Sequence, residues 1–469
     1  MSLSESLTVC TITELGAKLR ACEFTAEELT QFFLDRLDRI GPKLNAVVTV
    51  TRERALREAA QADVELRAGR DRGPLHGIPY GLKDLFAAQG FPTTWGAAPF
   101  KEQTFDGDAT VVEKLRDAGA VLVAKLAMVE IAGGLGYRQA NATFTGPGLN
   151  PWNLKRWAGG SSSGSGAVVG AGLVPFSIGT ETWGSIMTPA GYCGVTGFRP
   201  TFGLISRHGA MTLSWTLDKI GPLARTAQDC CLILNALVGR DVRDASSVEA
   251  NRLVDHAYMP KFKLAVLSDA ITQVQPAVKA NFEASLKVLE RFSTISEIKL
   301  PDLPYGSVAS LIISCEMAAA FEELAKSGKV WEMTADEDRW GLFSALTIPA
   351  KDYINAMRIR GIIQRELDAA LAPFDAVLCP TLPTVAYPVD RPWDEYRKGT
   401  TGSQIGGASN VAGVPAITVP NGFGEEGLPT AIQFCGRAFS DNRLLAIAAA
   451  YQHETIWHRQ HAKIVTPRR

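Results

Sequence analysis

Apolar residues recur along this chain at two different spacings. Thr25-Ala26-Glu27-Glu28 has the form of a capping box, and Leu29, Phe32, Phe33, Leu37 and Ile40 follow it on one helical face. Gly41-Pro42 predicts the end of that helix. Val111, Val112, Leu115 and Ala118 form the stripe of a second helix, with Gly119 as its stop. Ala120–Ala124 then reads as a short buried strand. The runs Leu173–Ile178, Leu264–Leu267, Ala376–Cys379, Ala416–Val419 and Thr430–Cys435 have the length of strands covered on both faces. Further helices are predicted from Pro276, carrying Val278, Phe282, Leu286 and Leu289, and after a Ser440 cap, carrying Leu444, Leu445, Ile447 and Ala448.

Helical and strand-length segments alternate over the whole length, which predicts an α/β protein built on a mostly buried sheet. There is no internal repeat, no heptad pattern and no long linker. Residues 1–65 read as an N-terminal helical region, 240–251 as a polar surface crossing and about 302–360 as a helical inserted lobe. Length alone, at 469 residues, suggests about three domains.

Composition narrows the class. Apolar residues make up 46% of the chain and charged ones 21%, as in ordinary globular proteins. A formal net charge of −1 gives no electrostatic reason to expect nucleic acid or an anionic membrane as partner. The 8 cysteines are scattered without a Cys-x-x-Cys pair, which predicts reduced thiols packed as small hydrophobes, with no zinc site. No secretory leader and no membrane-length apolar run are visible, so a cytoplasmic protein is expected.

The chemistry gathers around three segments. Lys83 sits in Gly77-Ile78-Pro79-Tyr80-Gly81-Leu82-Lys83-Asp84, Ser161 opens the serine run of Ala158-Gly159-Gly160-Ser161-Ser162-Ser163-Gly164-Ser165-Gly166, and Ser185 ends Gly179-Thr180-Glu181-Thr182-Trp183-Gly184-Ser185. A flexible linker is a poor reading of the serine run, because an apolar segment follows at once. Gly160-Ser161-Ser162-Ser163-Gly164 matches a nucleophile elbow centred on Ser162, but no convincing strand precedes it. A serine becomes a nucleophile only when a base takes its proton, and the nearest candidate base is a lysine. His208 is the first histidine after either serine segment.

Together the three segments resemble the amidase signature family of serine hydrolases. The likeness continues through Ile186–Thr201 and Leu217-Asp218-Lys219-Ile220-Gly221-Pro222, and reaches Cys379–Pro383 and Asn410–Ile417. Ser161 and Ser185 keep the family's spacing of 24 residues. The resemblance implies one amidase domain over residues 1–469, with a twisted mixed sheet flanked by helices. It implies catalysis by Ser185 as nucleophile, Ser161 as relay after a cis peptide and Lys83 as base. Backbone amides of Thr182, Trp183, Gly184 and Ser185 would form the oxyanion hole. No metal or organic cofactor is implied. Because the active form of Lys83 would be neutral, an alkaline activity optimum is expected.

Three positions depart from the family pattern: Glu181 stands for Asp, Trp183 for Gly and Met187 for Arg. The acid beside the nucleophile therefore needs another partner. Met128, Tyr137, Phe144 and Trp215 border the motif segments and are candidate substrate-binding residues. Their rings suggest an apolar pocket. The expected activity is hydrolysis of an aryl or alkyl amide, acting on a small molecule. Three alternatives stand beside it: a carbamate or ester hydrolase using the same triad, the glutaminase subunit of a tRNA-dependent amidotransferase, and a non-catalytic binding relative. The sequence leaves the oligomeric state open.

Overall fold

The computed structural model describes residues 3–250, 253 and 261–462. Its strands are β1 Val47–Val50, β2 Pro79–Lys83, β3 Val121–Leu126, β4 Phe176–Glu181, β5 Thr196–Arg199 and β6 Lys219–Ala224, followed by β7 Phe262–Leu267, β8 Ser293–Ile298, β9 Ala376–Pro380, β10 Ala416–Phe423 and β11 Pro429–Cys435. They form one 11-stranded sheet in the order β1-β3-β2-β4-β6-β5-β10-β11-β9-β7-β8. The sheet is mixed. β2 runs parallel to both β3 and β4, whereas β4, β6, β5, β10, β11 and β9 pair antiparallel in turn. Strands β2, β3, β4, β5, β6 and β9 are buried along their entire length, and β3 and β9 accordingly read as nearly continuous apolar runs. The α/β architecture read from the sequence is the one observed.

The departures from the sequence reading have local causes. The helix after the Thr25 capping box runs Ala26–Leu44, past Gly41-Pro42, and ends where Asn45 turns left-handed at φ 48°. Proline stands in the last turn of that helix, and asparagine is the non-glycine residue best suited to the left-handed cap. The strand expected at Leu173–Ile178 begins at Phe176, because Pro175 has no N–H for the ladder. Ser440 precedes the last helix, Asp441–His453, but its hydroxyl donates to the Arg437 carbonyl and does not accept from the helix. The N-terminal helical region also supplies the edge strand β1. Of the polar crossing at 240–251, Asn251 lies outside the described residues, as does His256. No described helix is long and apolar enough to cross a membrane.

The segment 302–360 is helical, with helices Tyr305–Ala320, Glu322–Lys326, Asp336–Ala345 and Ala350–Leu371. It meets the rest of the molecule through a buried acidic contact. The Glu130 carboxylate accepts from the amides of Thr334 and Ala335, both at 2.9 Å, just before helix Asp336–Ala345. A methyl group on Gly341 would lie 1.8 Å from the Leu135 carbonyl oxygen, so only glycine allows this helix its close approach. Asp338, on the same helix, is fully buried, with its carboxyl facing that of Glu130.

Burial first, and then the neighbouring Glu130 and Glu337, push the Asp338 carboxyl well above the usual carboxylate range. The folded chain therefore keeps a proton here that the unfolded chain releases. The site is satisfied below the unfolded carboxylate pKa of about 4, and stability is lost as pH rises from there through the raised folded value. Asp338→Asn removes this ionisation. Thermal unfolding should show the variant more stable than wild type at pH 8, with the gap closing by pH 4. A variant less stable at pH 8 than at pH 4, relative to wild type, would contradict the assignment.

Candidate active site

Lys83 ends β2 and Thr180 lies near the end of β4, the parallel neighbour, with Leu82 opposite Ile178 in the register. The two strands bring both side chains to the same end of the sheet. The Lys83 Nζ lies 2.7 Å from Ser161 Oγ and 2.9 Å from Thr180 Oγ1. The lysine is fully buried. Burial lowers its pKa to about 7, while the carboxylates of Asp218 and Glu181 work in the opposite direction.

Ser161 follows a cis peptide bond at Gly160-Ser161, and its carbonyl accepts from the Val129 amide at 3.0 Å. Helix Ser163–Gly170 begins directly after it. Ser162, the centre of the elbow pattern, is fully buried. Its Oγ accepts from the Thr180 amide at 3.3 Å and sits 3.2 Å from the Thr180 carbonyl. It holds the serine loop to β4, and no strand runs into it, so the elbow reading does not apply.

Ser185 comes after β4 by way of Thr182-Trp183-Gly184, and helix Met187–Cys193 starts just beyond it. Gly184 has φ 84°, a conformation that a side chain would strain. The Ser185 carbonyl accepts from the Ser162 amide at 3.3 Å, so the two serine-bearing loops are joined through their backbones. Among the described residues, no protein group accepts from the amides of Thr182, Trp183, Gly184 or Ser185.

Buried charges fix the turn from behind. Glu181 has found the partner that Met187 cannot supply: Arg199 on β5 donates to its carboxylate at 2.6 Å. The same carboxylate accepts from the amides of Ile186 at 2.8 Å and Met187 at 3.0 Å, capping the helix that follows. Burial alone would raise its pKa. Arg199 and these bonds outweigh it and bring the value to about 2. Arg199 also donates to the Val414 carbonyl and to Ser409 Oγ. Asp218 accepts from Thr182 Oγ1 at 2.5 Å, Leu213 N at 2.7 Å and Ser214 N at 3.1 Å. Met187 is buried, and its sulfur accepts from Thr418 Oγ1 at 3.1 Å.

A cavity of about 710 Å³ is lined by Gly160, the turn Thr182–Ser185 and a set of rings. Tyr137, Trp157, Tyr192, Tyr387 and Trp393 stand in its wall, with ring centroids of contacting pairs 4.5–6.5 Å apart. Lys83 and Ser161 are buried and do not line the cavity.

Of the four substrate-binding candidates, Tyr137 lines the cavity. Met128, Phe144 and Trp215 do not. Met128 is fully buried and packs against Gly96, Phe144 carries the Lys101 ammonium 4.9 Å above its ring, and Trp215 is half exposed with its carbonyl accepting from Arg207. Nearness in sequence to the motifs does not fix which way a side chain points. Sequence reasoning assigned no role to Thr180, Arg199 and Asp218, although all three stand in segments that the resemblance covers. It also missed Trp157, Tyr387 and Trp393, which no motif marks, and Tyr192, which stands in the Ile186–Thr201 segment. Among the described residues, no cluster of His, Cys, Asp and Glu could hold a metal ion.

The family model for Amidase matches residues 28–445. The chain is 35% identical to a glutamyl-tRNA(Gln) amidotransferase subunit of Alkalilimnicola ehrlichii, across 96% of this chain and 98% of that one. It is 36% identical to the protein of the same name from Chromohalobacter salexigens, across 96% and 97%. Among solved structures, the peptide amidase of Stenotrophomonas maltophilia superposes with a TM-score of 0.83 at 31% identity, across 94% of this chain and 96% of that one. The corresponding glutamyl-tRNA(Gln) amidotransferase subunit of Thermotoga maritima gives 0.77 at 29% identity, across 96% of both chains. With a family match over most of its length and relatives this similar end to end, the chain belongs to the amidase family.

Proposed function

We propose that this amidase-family hydrolase cleaves a C–N amide bond through Ser185, with Ser161 as proton relay and Lys83 as base. One observation carries the reading: a fully buried lysine amine, with its pKa near 7, lies 2.7 Å from the Ser161 hydroxyl. Neutral Lys83 accepts the Ser161 proton as Ser161 takes that of Ser185, and Ser185 Oγ bonds to the substrate carbonyl carbon. The oxyanion is received by the amides of Thr182, Trp183, Gly184 and Ser185, each such donor contributing roughly 3 kcal/mol to the transition state. The proton held by Lys83 returns through Ser161 to the departing nitrogen, since an amide anion does not leave unprotonated. Water then cleaves the acyl-enzyme by the same relay and restores Ser185.

The substrate we infer is an aryl or alkyl amide, on the strength of the ring-lined cavity and the indole of Trp183 beside the nucleophile. Carbamates and esters present the same carbonyl to the same nucleophile. A second reading, the glutaminase subunit of a tRNA-dependent amidotransferase, is favoured by the names of the two relatives above, and sequence similarity alone supports it better than the first. The two readings separate in assays of purified protein. Ammonia release from glutamine, with a co-purifying partner protein, supports the second. Turnover of simple amides by the isolated chain supports the first.

The nucleophile can be tested without knowing the substrate. Fluorophosphonate labelling with mass spectrometry should place one adduct on Ser185, absent in Ser185→Ala and slowed at least 100-fold in Lys83→Ala. Label on another serine would reassign the nucleophile, and none on a folded wild-type protein would favour the non-catalytic relative.

The base predicts a pH profile. Lys83 works only when neutral, and its depressed pKa sets where that form appears. The labelling rate and kcat/KM should rise about tenfold per pH unit below 7 and level off above it. A rate that rises on acidification from pH 7 would rule out Lys83 as the base.

A further inference from the structure

We propose that Trp183 is the specificity-determining residue of this site, selecting amides that carry a planar aromatic group. The proposal rests on the amide-hydrolase reading above and deepens it.

Trp183 is 42% exposed, and the cavity that contains Ser185 is bounded by it. A large apolar ring left open to a pocket is a surface that a ligand can cover. The other side of the indole is seated with unusual economy. A methyl group on Gly306 would meet Trp183 Cη2 at 3.5 Å, one on Gly407 would meet Cζ2 at 3.5 Å, and one on Gly406 would meet Nε1 at 3.8 Å. The ring therefore stands over the backbones of three glycines, with room beneath it for one methyl layer and nothing larger.

None of these glycines is needed for backbone conformation. None has a positive φ. Each lies in the first turn of a helix, Gly306 in Tyr305–Ala320 and Gly406 and Gly407 in Ile405–Ala412. Without side chains here the two helix starts pass close to each other and to the indole: a methyl group on Gly407 would also lie 3.4 Å from Tyr305 Cβ and 3.5 Å from Gly306 N.

The ring is also tied to the reaction centre by the shortest possible path. Trp183 is two residues before Ser185 in a turn held by the Thr182–Asp218 hydrogen bond. Its position relative to the nucleophile is thus set by the same backbone that sets the oxyanion donors. Leu303, Pro304, Leu213 and Ile313 add apolar surface to the cavity wall. A flat ring on the substrate could cover the exposed indole by offset or edge contact, which a short alkyl chain covers poorly.

The test compares phenylacetamide, acetanilide and propionamide as substrates of wild type, Trp183→Gly, Trp183→Phe and Gly407→Leu. Wild type should favour one of the aromatic amides over propionamide. Trp183→Gly should lower that preference in kcat/KM at least tenfold, Trp183→Phe should keep most of it, and Gly407→Leu should reduce it by displacing the indole without altering it. Fluorophosphonate labelling of Ser185 checks that each variant retains its nucleophile. Calorimetric binding of the same amides to Ser185→Ala and Ser185→Ala/Trp183→Gly reads the subsite without turnover. Loss of aromatic binding with Trp183 supports the proposal even if no amide is hydrolysed, a result that would defeat only the amide-hydrolase reading. Equal losses on all three amides, or an unchanged preference in Trp183→Gly, would make Trp183 a packing residue and overturn the proposal.

Discussion

The site depends on keeping an amine dry without leaving it unpartnered. Lys83 is enclosed at the end of β2, and an ammonium there would give up its water for two hydroxyls. The structure resolves the conflict by lowering the charge on the amine and fixing the hydroxyls in place. Ser161 and Thr180 come from different elements, so their meeting at one nitrogen requires β2, β4 and the serine loop to be in register together. One residue further, Asp84 pairs with Lys125 of β3 at 2.7 Å, again with both groups fully buried. Breaking such a pair leaves an uncompensated charge in the core and costs about 3–5 kcal/mol. The end of β2 is therefore held on both sides, by hydroxyls that a neutral lysine tolerates and by a carboxylate paired with a second buried lysine.

The acids near the turn set the balance. Glu181 and Asp218 both favour the ammonium form of Lys83, yet burial prevails and the value falls. Each carboxylate is occupied elsewhere. Glu181 is shared between Arg199 and a helix start, and Asp218 between Thr182 and two loop amides. These bonds brace the Thr182–Ser185 turn from behind. Preorganised donors act on an oxyanion only if they do not have to move to meet it, and this bracing provides that condition.

Much of this could be read from the chain, and the limits follow a pattern. Continuous apolar runs identified β3, β7, β9, β10 and β11, because strands buried on both faces need no alternation. β1, partly buried at all of its positions, escaped notice as a 4-residue edge segment. Local signals failed where tertiary contacts prevailed, as when Ser440 bonded backward to Arg437 or the Ala26–Leu44 helix continued through Pro42. Lys83, Ser161 and Ser185 were legible because ordered motifs carry them, and the structure brings Lys83 and Ser161 into direct contact. The partner of Glu181 was not legible. Arg199 lies in a motif segment, but only the pairing of β5 with β6 and β10 brings it beneath the turn. The pocket was least legible of all. Met128, Phe144 and Trp215 were chosen by proximity in sequence, whereas the rings that build the wall come from 137, 157, 192, 387 and 393, positions united only by the fold.

That contrast bears on how the family can share one frame and differ in substrate. The groups around Lys83 sit on buried strands and on a serine loop sealed against β4, where any change of volume is felt throughout the core. The cavity wall draws on other parts of the chain: the turn at Trp183, the helical segment that starts at Tyr305, the loop around Trp393 and helix Ile405–Ala412. These can vary without disturbing the sheet, and a fold of this kind does not by itself state which amide is cut. Met187 and Trp183 illustrate the separation. With the helix start already capped by Glu181 and the acid already paired to Arg199, position 187 carries no electrostatic duty and takes an apolar side chain that packs on Thr418. Position 183 supplies an amide to the turn whatever its side chain is, so its side chain is free to shape the cavity. Trp183 and Met187 thus depart from the family pattern where the side chain can change, whereas Glu181 departs only in length and keeps the carboxylate that Arg199 and the helix start require.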